Sequence, residues 1–541
     1  HSVIRDVAYG QLTKAERRSR HEAVARWLEA VAGERSVDVA EVLAHHYGAA
    51  LDGAADPPVD LQERAYAALM AAGTRTEALN TARAAAYYVA AAPLSSSDRE
   101  RGRAWLAAAD IFGAVERTRH AATEAIEAFQ AAGLPGDEAH AWAVVASLEW
   151  YEGNGTEARE AQARGVSLVE DLPDSLEKGN VLLRASRARV IAGDLEEAHR
   201  LFELARPSID AFGDVQTRVS ALMAEGQILT DVMADPRGLE LLERAVRVAE
   251  DRGMTAALVP AINNLETIRA LSQGSDAALA GIDRVIEISD ERGHGSGMVW
   301  SLLSRMEFLQ PTGRWDEILA DAERAIEAAA EHGGEQVAFG ARAMRSQIDF
   351  YRGGGRIDET RAAFEMALDI GDPQSVAPIA SYLLALSAAA GRMEEAQRAA
   401  DALCSVTKHA ARDRALIEAA PWLVAIGRIT DLEALVEDDL PAMWGYPRAA
   451  ISFARGVAAR ARGRLDEAAE SLVDAVGALD GMGHRWDATL ARIQLAEVLD
   501  ELDRVEEAAE ARGAAREVAL EMGAHRALGW IDEGSPLAAA G

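Results

Sequence analysis

Histidine is the first residue type in this sequence whose spacing suggests metal chemistry. His45 and His46 form the only adjacent histidine pair. Neighbouring residues of a helix point about 100° apart, so this pair does not suit one shared metal ion, and we expect it to pack between helices. The dipeptide His21-Glu22 begins like a zinc-protease motif, but the residue four positions after His21 is not a histidine. The sequence therefore predicts no metal site.

Residues that catalyse covalent chemistry or cradle phosphates are equally sparse. Cys404 is the single cysteine, and its position on an apolar stripe is typical of a packed residue. The phosphate-binding pattern G-x-x-x-x-G-K-[ST] does not occur, because none of the three lysines (Lys14, Lys178 and Lys408) follows a glycine. The run Gly353-Gly354-Gly355 is interpreted as a loose turn between helices. We therefore predict no enzyme site and no cofactor in this chain.

The composition favours helices and disfavours two classes of partner. The chain has 541 residues, of which 49% are hydrophobic and only 5% aromatic, and alanine is abundant. These proportions suit closely packed helices better than strands. The net charge of −32 opposes direct binding to nucleic acid and to anionic membranes. From this composition we therefore expect an all-α fold. The single cysteine and the absence of a long apolar run predict a cytoplasmic location.

A repeated sequence pattern, called the repeated phrase below, predicts the helices on which any site would lie. It consists of a small turn residue, a short polar and acidic stretch, and a small residue that opens an apolar stripe, as in residues 193–198 (GDLEEA), 391–396 (GRMEEA) and 463–468 (GRLDEA). The last residue of the phrase recurs every 36 to 42 positions, at Ala158, Ala198, Gly238, Ala278, Ile318, Thr360, Ala396, Leu432, Ala468 and Ala508. Apolar residues four and seven positions later share one helical face. The sequence predicts about twelve helix pairs stacked along the chain.

This repeated sequence pattern resembles the tetratricopeptide repeat. Trp142 and Tyr351 fall at its aromatic positions, and Gly226 and Gly456 at its close-packing small position, although the period is longer than the usual 34 residues. The resemblance implies a right-handed solenoid of helix pairs. It also implies that the first helix of each pair lines a concave groove.

The groove-facing positions under this alignment are mostly polar in the middle of the array. The candidate ligand-binding residues are Arg187, Gln227, Asn263, Thr267, Arg305, Arg342, Arg345 and Asp349. Arg342, Arg345 and Asp349 share one helical face, so the two guanidinium groups could hold a carboxylate or a phosphate. The alternative is a solvated inner wall with local ion pairs. The resemblance implies a peptide, a protein or a small molecule as the ligand in the groove.

The first 92 residues carry a second resemblance. Residues 1–12 (HSVIRDVAYGQL), the basic residues Arg17, Arg18 and Arg20, and residues 40–47 (AEVLAHHY) follow one another as in the segment after the ATPase module of large bacterial signalling (STAND-type) ATPases. That family includes proteins linked to adenylate or guanylate cyclases and LuxR-type regulators. The resemblance implies a linker or capping region over residues 1–92, a repeat array over residues 93–541, and an ATPase module upstream in the same polypeptide.

The functional hypothesis is a non-catalytic sensor or regulatory region of such an ATPase. The end of the sequence shows no helix-turn-helix pattern, which favours the cyclase-linked branch over the LuxR-type branch. A free-standing scaffold protein is the alternative hypothesis. In a simple solenoid each repeat contacts only its neighbours, so we expect the array to flex like a spring and pass strain to its amino end.

Overall fold

A computed structural model describes residues 9–52, 54, 56–77, 79–111, 115–231, 235–291, 295–406, 409–437 and 444–536. Residues 1–8 of the amino-terminal phrase, Lys408 and residues 537–541 therefore lie outside the described ranges. Within those ranges the chain forms 27 α-helices and three short 3-10 segments, and it forms no strand. The prediction of an all-α fold is confirmed.

The helices follow one another with short connections. The first fourteen are α1 (Lys14–Ala32), α2 (Ala40–Leu51), α3 (Val59–Glu77), α4 (Thr81–Ala91), α5 (Asp98–Asp110), α6 (Val115–Ala132), α7 (Pro135–Tyr151), α8 (Gly155–Val169), α9 (Leu176–Ile191), α10 (Leu195–Phe212), α11 (Val215–Asp231), α12 (Arg237–Asp251), α13 (Thr255–Gln273) and α14 (Asp276–Glu291). The others are α15 (Gly295–Leu309), α16 (Trp315–His332), α17 (Glu335–Tyr351), α18 (Ile357–Ile370), α19 (Pro373–Ala389), α20 (Met393–Ser405), α21 (Ala410–Ala425), α22 (Ile429–Leu435), α23 (Gly445–Ala461), α24 (Leu465–Gly481), α25 (Arg485–Glu501), α26 (Val505–Glu521) and α27 (His525–Glu533). The 3-10 segments are Gly33–Val39, Ala92–Leu94 and Gln310–Thr312.

The chain packs as successive helix pairs, from α1 with α2 to α25 with α26, and α27 closes the array. The repeated phrase forms the turn inside a pair. Gly193, for example, has a φ of 73°, a left-handed conformation that glycine adopts at low cost. The Asp194 side chain then accepts a hydrogen bond from the Glu197 backbone amide and caps α10. The acidic residues that follow lie in the first helical turn, where the helix dipole favours them.

The predicted apolar stripes form the contacts inside each pair. On α10, the residues Ala198, Phe202 and Ala205 are at most 3% exposed. Small residues let the paired helices approach closely: a Cβ atom on Gly456 would lie 2.6 Å from the Leu472 side chain. This close approach confirms the close-packing role that the sequence predicted for Gly456. Helix α4 packs on α5, so the packing of consecutive helices is not interrupted at residue 92.

The superhelix also contacts itself from one turn to the next. Helices ten positions apart touch, namely α7 with α17, α8 with α18, α13 with α23, and α17 with α27. Five helix pairs therefore complete one turn of the superhelix. The prediction that each repeat contacts only its neighbours is wrong, because residues more than 200 positions apart form hydrogen bonds between these turns. The result is a closed winding and not an open spring.

Candidate ligand-binding interior

The winding encloses a cavity of about 1550 Å³. Its wall consists mainly of the first helices of nine consecutive pairs, from α9 to α25, with additional residues of α7, α8 and α18. The inner position of the first helices agrees with the sequence interpretation. The cavity is larger than the roughly 300–1,000 Å³ of a drug-sized ligand site, so it also accommodates a short peptide.

Contacts between turns form the seam that closes this cavity. Asp369 at the end of α18 accepts hydrogen bonds from the Gly155 backbone amide (2.9 Å) and the Thr156 hydroxyl (2.9 Å) at the start of α8. Arg159 donates to the Ile370 carbonyl oxygen at 2.9 Å. Because the carboxylate lies at a helix amino terminus, the helix dipole strengthens the contact. These bonds fix α8 against α18.

A second part of the seam is aromatic. The Trp150 indole N–H donates to an Asp372 carboxylate oxygen at 3.1 Å, and the Trp150 ring lies 5.2 Å from the Trp300 ring between centroids. Both rings line the cavity. A flat π-surface beside a polar wall suits a ligand with an unsaturated or apolar portion.

Four of the eight predicted binding residues lie in the cavity wall. They are Arg187 on α9, Gln227 on α11, and Asn263 and Thr267 on α13. The other four (Arg305, Arg342, Arg345 and Asp349) lie outside the described lining. The structure therefore separates a candidate site on α9, α11 and α13 from a set of charged residues on α15 and α17.

The charged residues outside the lining already have partners of opposite charge. Arg305 forms ion pairs with carboxylates of α14 and α16, including a 2.6 Å contact to Asp283. Arg345 contacts Glu323 at 2.7 Å and Glu359 at 2.9 Å. Arg342 pairs with Glu335 at 3.1 Å, and Asp349 with Arg356 at 3.1 Å. These ion pairs satisfy the charges of the four residues outside the cavity lining.

Arg187 differs from these arginines because no carboxylate compensates its charge. It forms no ion pair within the described residues, and its buried Nε has no hydrogen-bond partner there. Burial and the neighbouring Arg184 lower the pKa of Arg187 to about 10. Arg184 itself donates to Asp110 at 2.7 Å, so that carboxylate is already engaged. An anion beside Arg187 would relieve the cost of burying its charge.

Unmatched amide groups also line the cavity wall on α11 and α13. Asn263 is 3% exposed and donates through Nδ2 to the Ser301 hydroxyl at 3.1 Å, which leaves its Oδ1 without a donor. The Gln227 Oε1 and the Asn264 Nδ2 are also buried and have no partner among the described residues. Buried polar atoms without partners are costly, which is why such atoms at a cavity wall indicate contacts to a ligand. The wall offers two acceptors, one donor and one cation.

Two buried carboxyl groups of the cavity wall lie on α21 and α25. Burial raises the pKa of Glu418 on α21 and that of Asp487 on α25 to about 7 each. Tyr351 donates to Glu418, and Tyr446 donates to Asp487 at 2.6 Å. Both carboxyl groups line the cavity. The cavity wall therefore carries protonatable carboxyl groups on α21 and α25 in addition to Arg187 on α9.

Sequence reasoning missed the residues that complete this wall. Asn264, Trp150, Glu418 and Asp487 lie on first helices, but none of them is among the groove-facing residues that the sequence analysis selected. Asn264 is adjacent to a residue that was selected, so a wider window would have found it. Glu418 and Asp487 carried no sequence signal, because their burial depends on contacts between distant helices.

The histidines of the first two helices lie together. The rings of His45 and His46 on α2 are 5.2 Å apart between centroids, and His21 of α1 lies 5.9 Å and 5.0 Å from them. One nitrogen from each ring falls within 4.8 Å of the others. The expectation from helical spacing considered the pair alone and not a third ring from the neighbouring helix.

Comparisons with known proteins assign no family to this chain. The sequence matches no protein-family model and no curated protein. Similar solved structures include a signal transduction ATPase with numerous domains and a tetratricopeptide repeat sensor from Pyrococcus horikoshii (11% identity, TM-score 0.39, 66% of this chain and 54% of that chain). They also include the APC/C hetero-tetramer Cut9-Hcn1 (11%, 0.48, 99% and 93%) and yeast Tom70 (12%, 0.27, 95% and 96%).

The chain spans about half of the length of the Pyrococcus ATPase. Among the described residues, no helix combines the length and the apolar character that a bilayer span requires. At these identities and TM-scores, no family membership follows.

Proposed function

We propose that this chain is a non-catalytic sensor region that binds an anionic ligand inside its superhelix. The single observation that carries the proposal is Arg187, a partly buried cation in the cavity wall without a carboxylate partner among the described residues. The ligand class is a carboxylate or phosphate on a small molecule or on a short peptide. Its polar portion would contact Gln227, Asn263 and Asn264.

The shape of the interior favours a small ligand over a folded protein. The cavity lies within the winding, and the bonds of Asp369 and Asp372 to the preceding turn close its side. A folded partner does not pass such a seam. A peptide or a small molecule of several hundred Å³ fits the volume, and partial burial of the wall strengthens charge contacts.

The closed winding supports a regulatory role. A ligand that contacts α9, α11 and α13 spans three consecutive pairs, and the seam connects these pairs to the next turn. Ligand binding would therefore stabilise one winding of the whole array. Such a preference is the differential affinity that a conformational signal requires.

The recipient of the signal is proposed from the amino-terminal resemblance. The described part of that segment forms α1 to α4. An upstream ATPase module linked to a nucleotide cyclase would receive the signal there, next to Arg17, Arg18 and Arg20. Sequencing the gene upstream of His1 tests this part: a reading frame with a phosphate-binding loop supports it. A start codon next to His1 would instead favour a free-standing scaffold, and a LuxR-type output domain would favour the transcription-regulator alternative.

The binding site is tested with the variant Arg187→Gln. Glutamine keeps a polar side chain and removes the charge. We expect the variant to be more stable than the wild type without ligand, by about 1–3 kcal/mol, because a poorly solvated cation is gone. We expect thermal unfolding of the wild type to shift upward with citrate or inorganic phosphate, and this shift to be lost in the variant.

Arg247→Gln is the matched control, since Arg247 is 65% exposed and outside the cavity. Phosphate and citrate stabilise many proteins by preferential exclusion, and the control measures that general effect. Equal anion responses of Arg187→Gln, Arg247→Gln and the wild type would refute the anion site. A response lost in Arg187→Gln alone supports it.

A further inference from the structure

We propose that His21, His45 and His46 form a binding site for a divalent transition-metal ion, with Zn²⁺ as the best-suited ion. The site lies between α1 and α2, away from the cavity, and it is independent of the proposed ligand-sensing function. Three imidazoles from two helices converge there, with one nitrogen of each ring within 4.8 Å of the others.

The spacing of the nitrogens fits zinc coordination after small side-chain rotations. Zn–N bonds of about 2.0–2.1 Å in a tetrahedron place ligand nitrogens about 3.3 Å apart. The Nδ1 atoms of His21 and His46 are now 2.8 Å apart and share a proton in a hydrogen bond. A metal ion would replace that proton and separate the two nitrogens by about half an ångström, and the proton would pass to solvent.

The second nitrogen of His21 has a partner that orients its ring. The Tyr9 hydroxyl lies 2.9 Å from the His21 Nε2. Hydrogen bonds of this kind to the free nitrogen of a metal-binding histidine fix the ring and raise metal affinity. Tyr9 therefore acts as a positioning residue that holds the His21 Nδ1 towards His46.

The two helices that carry the histidines are fixed independently of any metal. Tyr47 of α2 is fully buried, and its hydroxyl donates to Glu29 of α1 at 2.8 Å. Arg64 of α3 contacts the same carboxylate at 2.5 Å. The scaffold thus exists before metal binding, so the ion does not have to order it.

Two of the three rings, those of His21 and His46, are partly covered, and the third is exposed to solvent. His45 is the exposed member, so the fourth coordination position faces solvent. Three histidines with an open position accept water or an external ligand there. Imidazole donors favour Zn²⁺, Cu²⁺ and Ni²⁺ over Mg²⁺ and Ca²⁺.

The test uses tag-free protein of the full chain, stripped of metal with a chelator. Zn²⁺ is titrated calorimetrically, and Co²⁺ is added separately because its visible spectrum reports coordination geometry. We expect one Zn²⁺ per chain and an intense tetrahedral Co²⁺ spectrum. We expect His46→Ala and His45→Gln to weaken Zn²⁺ binding at least tenfold, and Tyr9→Phe to weaken it severalfold.

His525→Ala is the matched control, because His525 is an exposed histidine at the other end of the chain. Its affinity should equal that of the wild type. His45→Gln removes only an exposed ring, so loss of binding in that variant does not reflect unfolding, and circular dichroism checks the others. Absence of a one-to-one Zn²⁺ transition in the wild type would overturn the proposal, as would unchanged affinity in both His45→Gln and His46→Ala.

Discussion

The closure of the superhelix is tested by adding one methyl group at the seam. Gly155 begins α8, and a Cβ atom built on it would lie 2.2 Å from the Asp369 carbonyl oxygen and 2.4 Å from the Ile370 Cα of α18. Both neighbours are backbone atoms of the next turn. An ordinary contact needs about 3.4 Å, so Gly155→Ala would force the two turns apart by roughly 1.2 Å.

The expected cost follows from that displacement. The 2.9 Å bond from the Gly155 amide to the Asp369 carboxylate would stretch beyond hydrogen-bonding range. Overpacking costs about 1–3 kcal/mol, and each lost hydrogen bond adds about 0.5–1.5 kcal/mol. We expect the seam to weaken by about 2–3 kcal/mol. Amide hydrogen exchange in α8 and α18 would then accelerate about 30- to 150-fold.

The control is Gly513→Ala on α26. Gly513 lies inside a helix with nothing within 4 Å of its Cβ position. Alanine should stabilise that helix by up to about 1 kcal/mol, so the two glycine substitutions have opposite signs. Hydrogen exchange read by mass spectrometry measures both. If Gly155→Ala slows exchange or leaves it unchanged, the turns do not touch as described and the reasoning fails.

Three further predictions concern buried charges and the cysteine. Burial raises the pKa of Glu418 to about 7, so the folded state holds a proton that the unfolded state releases above about pH 4. The free energy of unfolding should therefore fall as the pH rises from 4 to 7 and then level off. Denaturation of Glu418→Gln should lack part of this decline, by up to about 3 kcal/mol at pH 8, and an unchanged pH profile would contradict the assignment. Cys404, whose pKa burial raises to about 11, should react slowly with a thiol reagent at pH 8 in the native protein and rapidly after unfolding, whereas fast native labelling would show an accessible thiolate. Arg305→Gln leaves the buried Asp321 only its 3.6 Å ion pair with the exposed Arg324 and should lower the unfolding free energy by about 3–5 kcal/mol. The exposed Arg200→Gln should cost less than about 1 kcal/mol, and equal effects of the two substitutions would rule out the network.

The helix pairs were predictable because their signal is local. A left-handed glycine such as Gly193, the acidic first turn after it, and apolar residues such as Phe202 lie within one short phrase. The contact inside a pair forms between helices that are consecutive in the sequence. A repeat of the apolar pattern along the sequence therefore gives a repeat of helix pairs along the superhelix. The same holds for Gly456, whose small size is required by Leu472 of the next helix.

The seam and half of the candidate site were not predictable in this way. Gly155 and Asp369 meet although 214 residues separate them. Gly155 stands where other units carry an apolar residue such as Leu195 or Leu465, but this difference does not identify the distant partner. Arg345 shows the same limit for charge. The sequence predicted that it faces the groove, but it lies outside the cavity lining and pairs there with Glu323 and Glu359 of neighbouring helices. Arg187 has no such neighbour, and this difference depends on packing and not on the residue type.

The seam also restricts how such a chain can change its length. Open solenoids commonly gain or lose a whole repeat by duplication or deletion, since the remaining repeats keep their neighbours. Here Trp150 must meet Asp372, and Ser275 must meet His484, each five pairs further along. Deleting one pair between such partners would place a different residue opposite each of them. We therefore expect homologues to keep the number of repeats and to vary in the loops outside the winding.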